Sequence, residues 1–277
     1  MDKYTTSQGH DFSTSGWLDL HFEACKNEYE NMVKSLPIQP GWKILDAGCG
    51  NGRFLDILSD LITSSGEICA IDLAQENVNA VKDTISSGHF NSRVSANVGD
   101  VTSLDFPDNT FDLVWCANVT QYLDEANLNK TIEGFKRVLK PGGILAIKET
   151  DGTSYFFYPT KNFNLLCDSI KHMNSKDRQR WFDHPIELNL FLKQFGFQNT
   201  KQSTHLIERR FPLDEKTKKY LTILFKARDV NWSDIDRQTA NDRQEWKRLL
   251  DNDSPSYILK QPNFFWREGH VLVLGTK

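Results

Sequence analysis

Two kinds of hydrophobic pattern alternate between residues 43 and 150. Short runs that are apolar at every position, such as residues 68–71, are typical of parallel strands that are buried on both faces. Between these runs, apolar residues recur every three or four positions, which is the spacing of a helix. The alternation predicts a parallel sheet with helices on both faces.

Glycines, prolines and polar residues set the predicted boundaries of each element. The predicted strands are residues 44–46, 68–71, 93–98, 113–116, 144–148, 198–210 and 270–275. The predicted helices are residues 17–36, 54–62, 75–87, 124–139 and 184–195, with two more helical patterns in a long insertion at about 213–266.

Three glycines at alternate positions follow the first predicted strand. Gly48, Gly50 and Gly52 begin two residues after Asp46, and a helical pattern begins at Arg53. Glycine takes positive φ in a tight turn, and its missing side chain lets the backbone lie against a ligand. The loop is therefore a candidate floor for a nucleotide-type pocket, although a plain strand-to-helix turn explains the glycines equally well when they are taken alone.

An acidic residue ends the second predicted strand. Asp72 lies about 20 to 25 positions beyond the glycine loop, where a carboxylate can accept hydrogen bonds from a ribose diol. The alternative role is an N-cap for the helix that follows. Its position favours the ribose role.

The glycine spacing distinguishes between kinds of nucleotide. A dinucleotide site expects Gly-x-Gly-x-x-Gly, but here the third glycine comes one residue early and Arg53 stands in its place. The observed Asp-x-Gly-x-Gly-x-Gly resembles motif I of the class I S-adenosylmethionine (SAM)-dependent methyltransferases. The phrase at residues 104–114 and the Leu-Lys-Pro-Gly-Gly turn at 139–143 also resemble this family.

The resemblance implies a Rossmann-like α/β fold. Its seven-stranded, mostly parallel sheet has helices on both faces, an antiparallel last strand and an inserted helical cap. The implied regions are an N-terminal arm and lid helix (1–36), a SAM-binding core (37–150), a substrate-cap insertion (151–183) and the C-terminal part of the core (184–277).

The resemblance also implies which residues hold SAM. Asp100 resembles the residue that accepts a hydrogen bond from the adenine amino group, and the backbone amide of Val101 would meet a ring nitrogen. The expected cofactor-binding residues are Asp46, Ala47, Gly48, Cys49, Gly50, Gly52, Asp72, Leu73, Asp100, Val101, Asn118 and Val119.

Methyl transfer from SAM needs alignment and, for a hydroxyl or a carbon acid, a base near the methyl group. No motif assigns this base. The catalytic candidates are His21, Tyr122, Glu149 and His172. Each histidine is more often structural than catalytic, and Glu149 could be a solvated strand end. His184 is a weaker candidate because it precedes a proline at a predicted helix start.

Composition narrows the possible partners. The net charge of -4 argues against a nucleic-acid partner, and no apolar run approaches the ~20 residues of a membrane span. Five cysteines without a C-x-x-C pair are typical of reduced thiols in the cytoplasm. No metal is expected, because the cysteines and histidines lack metal-ligand spacing. A homodimer stays open.

We therefore expect an enzyme that methylates an O, N or C atom of a small, partly apolar molecule, such as a specialised metabolite, a quinone or a sterol-like compound. Aromatic residues in the predicted cap favour this acceptor class. The missing Asn-Pro-Pro-Tyr after the fourth strand disfavours a protein or RNA methyltransferase. A partner subunit that binds SAM without catalysis is the remaining alternative.

Overall fold

The computed structural model describes residues 14–159, 182–232, 244, 247–249 and 251–277. Its strands are β1 Lys43–Ala47, β2 Glu67–Asp72, β3 Arg93–Val98, β4 Phe111–Ala117, β5 Leu139–Tyr158, β6 Gln198–Arg210 and β7 Phe265–Thr276. Its α-helices are α1 Ser15–Lys34, α2 Leu55–Ile62, α3 Gln75–Ser86, α4 Glu125–Val138, α5 His184–Gln194 and α6 Glu215–Trp232, and short 3-10 turns lie at Thr120–Tyr122 and Ile258–Lys260.

The strands form one sheet in the order β3-β2-β1-β4-β5-β7-β6. The pairs β1–β2, β2–β3, β1–β4 and β4–β5 are parallel. The end of β7 lies beside the start of β5, because Gly142 N donates to Lys277 O and Lys277 N donates to Gly143 O, at 3.1 and 2.9 Å. Strand β7 is thus antiparallel to β5, and the predicted sheet is confirmed.

Helices cover both faces of this sheet, as its apolar strands require. Side chains of α4 and α5 pack on one face with Val114, Cys116 and Ile147. On the other face the rings of Phe54 and Trp115 meet edge to face at 5.2 Å. Full burial of each large apolar side chain contributes about 1.5–3 kcal/mol. These layers therefore hold the carboxyl ends of β1 and β4 at one edge of the sheet.

Strand β5 runs ten residues further than the sequence predicted. The strand was predicted to end at residue 148, but Lys148, Glu149, Thr150 and Asp151 are all buried. Their side chains are hydrogen-bonded inside the protein, so polarity does not mark the edge of the strand here. Strand β7 likewise begins at Phe265 rather than at residue 270.

The chain divides into two compact units. The first comprises residues 1–150, 184–205 and 270–277, and the second comprises residues 151–183 and 206–269, where the structure describes them. Within the second unit, the ring of Trp266 packs against Phe157 and Phe225 at 6.1 and 5.5 Å. Tyr220 donates to Glu268 at 2.8 Å in the same unit. This unit thus has an aromatic core of its own.

The predicted insertion at about 213–266 contains α6, as its first helical pattern indicated. Residues 244 and 247–249 are helical within the second pattern, whereas Trp246 lies outside the described residues. Among the helices that are described, none has both the length and the apolar character needed to cross a membrane.

Candidate cofactor and acceptor site

The glycine loop turns sharply at the carboxyl end of β1. The amides of Gly48 and Cys49 both donate to Ile71 O, at 2.8 and 2.9 Å, which fixes the loop beside β2. Gly48, Gly50 and Gly52 have φ of 78, 53 and 85°, a region that disfavours residues with a Cβ. The loop conformation therefore requires glycine, as the sequence predicted.

Neighbouring side chains lie against these glycines. A Cβ added to Gly48 would collide with Cγ2 of Val119, and one added to Gly50 would lie 2.7 Å from Cδ1 of Leu18. Helix α1 thus contacts the loop directly. Asp19 of the same helix accepts hydrogen bonds from Arg53 Nε at 2.5 Å and from the Asn51 side chain. The loop is held between α1 and the end of β4.

Asp46 is buried at the end of β1. Burial, with a smaller effect of the Asp72 charge, raises the pKa of its carboxyl group to about 8. Its Oδ2 has no hydrogen-bond partner among the described residues, although the side chain is only 2% exposed. A buried polar atom without a partner costs free energy, so this oxygen indicates a polar ligand or an ordered water.

The carboxylate of Asp72 is hydrogen-bonded to the glycine loop and to the start of α3. Its Oδ2 accepts from Gly50 N at 2.8 Å, and its Oδ1 accepts from Ala74 N and Asn77 Nδ2 at 2.9 and 3.1 Å. The bond to Ala74 N forms a turn of the Asx type and is not the N-cap that was the alternative role, because the N-cap of α3 is Ala74 itself. A carboxylate has about four acceptor sites, so these three bonds leave capacity for a ribose hydroxyl.

Two exposed apolar side chains lie at the carboxyl ends of β2 and β3. Leu73 and Val98 are 40% and 49% exposed, whereas Val101 is buried. Asp100 is exposed, and its Oδ1 accepts from both the amide and the hydroxyl of Thr102 at 2.8 Å. An apolar surface beside a carboxylate suits an adenine ring, which has flat apolar faces and a polar edge.

The residue that follows β4 has a left-handed backbone conformation. Asn118 has a φ of 57°, and its amide donates to Lys148 O at 2.7 Å. The Asn118 side-chain oxygen accepts from Lys148 Nζ at 2.9 Å and from Thr150 Oγ1 at 3.3 Å. The next residue, Val119, is the one that packs on Gly48. The middle of β5 therefore holds the end of β4 against the glycine loop.

A buried polar cluster lies on the α1 face of the sheet. Lys148 is fully buried, and its Nζ lies 4.5 Å from the centroid of the Tyr29 ring and 3.4 Å from the Tyr29 hydroxyl. That hydroxyl also bonds with Nε2 of His21 at 2.9 Å and with Nε2 of His270 at 3.2 Å. Helix α1 is thereby connected to β5 and β7.

A second polar cluster lies on the opposite face. Glu149 Oε1 accepts from Thr120 N, Thr120 Oγ1 and Gln121 N at 2.8, 2.6 and 3.3 Å. Thr120 Oγ1 also bonds with Nε2 of His184 at 2.9 Å. Burial lowers the pKa of His184 to about 4, so this imidazole is neutral at pH 7. Burial raises the pKa of Glu149 to about 7.

The catalytic candidates are therefore separated. His21 belongs to the cluster around Lys148, whereas Glu149 belongs to the cluster on the other face of the sheet. Tyr122 lies in the 3-10 turn after β4, and His172 lies outside the described residues. The alternative in which Glu149 is a solvated strand end is wrong, because the residue is fully buried.

Sequence reasoning missed Lys148, Tyr29 and His270. A lysine directly after the apolar residues 144–147 was a usable signal, because a charged residue inside a buried strand needs a specific partner. Tyr29 and His270 gave no local signal. They are 241 positions apart in the sequence, and only the fold brings them together.

The comparison with known sequences agrees with the geometry of the glycine loop. A sequence profile described as a methyltransferase domain matches residues 44–143, from β1 to the turn inside β5. The chain carries a class I SAM-dependent methyltransferase domain. The predicted enzyme class and the predicted cofactor are thus confirmed.

Relatives of this methyltransferase support the assignment. A demethylmenaquinone methyltransferase of Staphylococcus aureus is 28% identical over 198 residues, which cover 66% of this chain and 78% of that protein. A SAM-dependent methyltransferase structure from Aquifex aeolicus has a TM-score of 0.50 and 22% identity, and the match covers 69% of this chain and 90% of that one.

A second solved structure contains the cofactor. Phosphoethanolamine N-methyltransferase 2 of Haemonchus contortus, in complex with S-adenosyl-L-methionine, has a TM-score of 0.54 and 17% identity. The match covers 95% of this chain and 57% of that one. At this identity the likeness shows the fold.

The residues of this methyltransferase fit SAM. The glycine loop leaves no room for a Cβ at Gly48, the end of β1 holds the unpartnered Oδ2 of Asp46, and Leu73 offers an exposed apolar side chain beside β3. These features supply a close backbone approach, a polar contact and an apolar surface. A molecule with an adenine, a ribose and an amino-acid end needs all three.

Replacing Asp72 tests the ribose assignment. We expect Asp72→Ala to weaken SAM binding by about 1–3 kcal/mol, because a ribose hydroxyl and the Gly50 amide both lose an acceptor. Isothermal titration calorimetry measures this change. Asp83→Ala, which removes an exposed carboxylate from α3, is the matched control and should leave the affinity unchanged. An unchanged affinity in Asp72→Ala would contradict the assignment.

Proposed function

We propose that this methyltransferase methylates a small, partly apolar acceptor of the quinol or phenol type, at an atom that gives up a proton to Glu149. The observation that carries the proposal is the buried Oε2 of Glu149, which has no hydrogen-bond partner among the described residues. Glu149 lies within β5 and follows Lys148, which pairs with Ala117, the last residue of β4. This oxygen is therefore level with the carboxyl end of β4, and the carboxyl ends of the strands form the edge where ligands of open α/β folds bind.

The surroundings of Glu149 support a role as general base. Three donors from Thr120 and Gln121 fix Oε1, so the carboxylate has one defined orientation. Its pKa of about 7 lies near neutral pH, where a base is both available in its ionised form and strong enough to accept a proton. Desolvation by burial, the largest influence on this pKa, is typical of catalytic carboxyls.

The cofactor supplies an electrophilic methyl group on a sulfonium, so the protein needs no covalent nucleophile. In the proposal, the backbone of the loop from Gly48 to Gly52 contacts the cofactor directly, and Asp72 binds its ribose. Leu73 and Asp100 contact the adenine. Asn118 and Val119, which follow β4, would border the cofactor. Glu149 removes the proton of the acceptor, and the buried surroundings exclude water.

The acceptor class rests on two further observations. The relative that is 28% identical is named for demethylmenaquinone, a quinone. The net charge of -4 is unfavourable for binding a polyanion. Together these favour a small acceptor over a nucleic acid. Carbon and hydroxyl acceptors both fit a carboxylate base, since either loses a proton.

Transfer of label from methyl-labelled SAM tests the proposal. Purified protein is incubated with a host-cell extract that is then separated into small molecules, lipids, protein and nucleic acid. We expect the label in the small-molecule or lipid fraction, where mass spectrometry identifies the product. Label in protein or nucleic acid would overturn the acceptor class. No label in any fraction, together with calorimetric binding of SAM, would favour the non-catalytic subunit.

A further inference from the structure

We propose that Lys148 is a positioning residue for the cofactor: it holds Asn118 in the left-handed conformation that places Val119 on the glycine loop. This inference goes beyond the acceptor proposed above, because it concerns SAM binding only. Lys148 itself need not contact SAM.

Asn118 adopts a backbone conformation that a non-glycine residue takes at a cost. Its φ is 57°, and a residue with a Cβ loses roughly 1–2 kcal/mol there relative to the right-handed region. Asparagine tolerates this region better than most residues, but the surrounding structure must still hold it. The conformation sets the direction in which Val119 leaves the end of β4.

Lys148 binds Asn118 at two points. Its carbonyl oxygen accepts from the Asn118 amide at 2.7 Å, and its Nζ donates to the Asn118 side-chain oxygen at 2.9 Å. The first bond uses only backbone atoms, so any residue at position 148 can make it. The second requires a donor at the end of a long side chain. A charge-assisted bond of this kind is stronger than a neutral one.

The rest of the cluster fixes the ammonium group. The Tyr29 ring lies 4.5 Å from Nζ, and the Tyr29 hydroxyl accepts at 3.4 Å. His21 and His270 in turn fix that hydroxyl. The positive charge of Lys148 in turn lowers the pKa of the neighbouring Glu149 carboxyl group, although burial raises that pKa more. Because Lys148 is fully buried, its side chain has little freedom to move away from Asn118.

Val119 transmits this position to the cofactor loop. Its methyl groups occupy the space beside Gly48 that a Cβ would need, and Cγ1 lies 3.2 Å from that point. A rotation of the Asn118 backbone would move Val119 away from Gly48 or into it. The conformation of the glycine loop therefore depends on the hydrogen bond between Lys148 and Asn118.

A double-mutant cycle with Asn118→Gly tests the proposal. Glycine takes the left-handed conformation without help, so it should make the side chain of Lys148 dispensable for SAM binding. We expect Lys148→Met to weaken SAM binding about 10-fold in calorimetry and to weaken it less than about 3-fold in the Asn118→Gly background. Thr150→Val, which removes the longer bond to Asn118, should change the affinity less than about 3-fold.

Two results would overturn the proposal. One is an unchanged SAM affinity in Lys148→Met. The other is an equal loss of affinity in both backgrounds, which would indicate that Lys148 contacts SAM or supports the fold in general. If Lys148→Met does not fold, Tyr29→Phe takes its place in the cycle, because it removes the hydroxyl that accepts from Lys148. The same two results, measured with Tyr29→Phe, would then overturn the proposal. Thermal unfolding of every variant separates stability from affinity.

Discussion

Replacing Glu149 by glutamine is expected to lower kcat by roughly 10²–10⁴-fold, the usual contribution of a general base. The substitution is conservative in structure, because a glutamine oxygen can still accept from Thr120 and Gln121 as Oε1 does. It removes the ability to take a proton at the second oxygen. The rate of label transfer from methyl-labelled SAM into the small-molecule product measures the effect.

The pH dependence of the reaction rate tests the role of Glu149 independently. Asp46, whose pKa is about 8, titrates above the Glu149 step. A base must be ionised to act, so the wild-type rate should fall about tenfold per pH unit below the Glu149 pKa of about 7. Glu149→Gln should lack this step. His184 should not add a step between pH 6 and 8, because burial lowers its pKa to about 4.

Glu133→Gln is the matched control, because it removes the same negative charge as Glu149→Gln at a different place. This residue lies exposed on α4, and its replacement should leave both kcat and the pH profile unchanged. A Glu149→Gln enzyme that keeps more than about a tenth of the wild-type kcat would rule out Glu149 as the base. In that case Glu149 would serve mainly to anchor the turn at Thr120–Tyr122.

Gly48→Ala is expected to reduce SAM affinity by about 100-fold or more. The new Cβ would collide with Val119, and an L-residue at a φ of 78° is itself unfavourable by roughly 1–2 kcal/mol. Relief requires the loop or the end of β4 to move, and both are expected to contact the cofactor. Over-packing of this kind typically costs about 1–3 kcal/mol in addition. Calorimetric titration with SAM measures the loss.

Gly142→Ala separates steric collision from backbone strain. Gly142 has a φ of 79°, nearly that of Gly48, but an added Cβ there would meet nothing within 4 Å. We expect this variant to lose about 1–2 kcal/mol of stability and none of its SAM affinity. Equal affinity losses in the two variants would show that global destabilisation, rather than the contact with Val119, explains the effect at Gly48.

The sequence by itself determined the core of the fold and the cofactor. Strand β3 was predicted at residues 93–98 and β6 at 198–210, and both match the structure. The requirement for glycine at Gly48 was also visible, because the turn conformation is a local property of the backbone. Periodic burial patterns and loop conformations depend on only a few neighbouring residues. They can therefore be predicted from the local sequence.

Only the tertiary structure decided which polar residues lie together. Strand β5 continues through polar residues because Lys148 and Glu149 find partners in another segment, at Asn118 and Thr120. Asp151 instead accepts from Thr153 within β5. Lys148 and Glu149 are adjacent in the sequence but belong to clusters on opposite faces of the sheet, because successive side chains of a strand alternate. Whether a buried charge finds its partner is set by packing between distant segments, which no local pattern encodes.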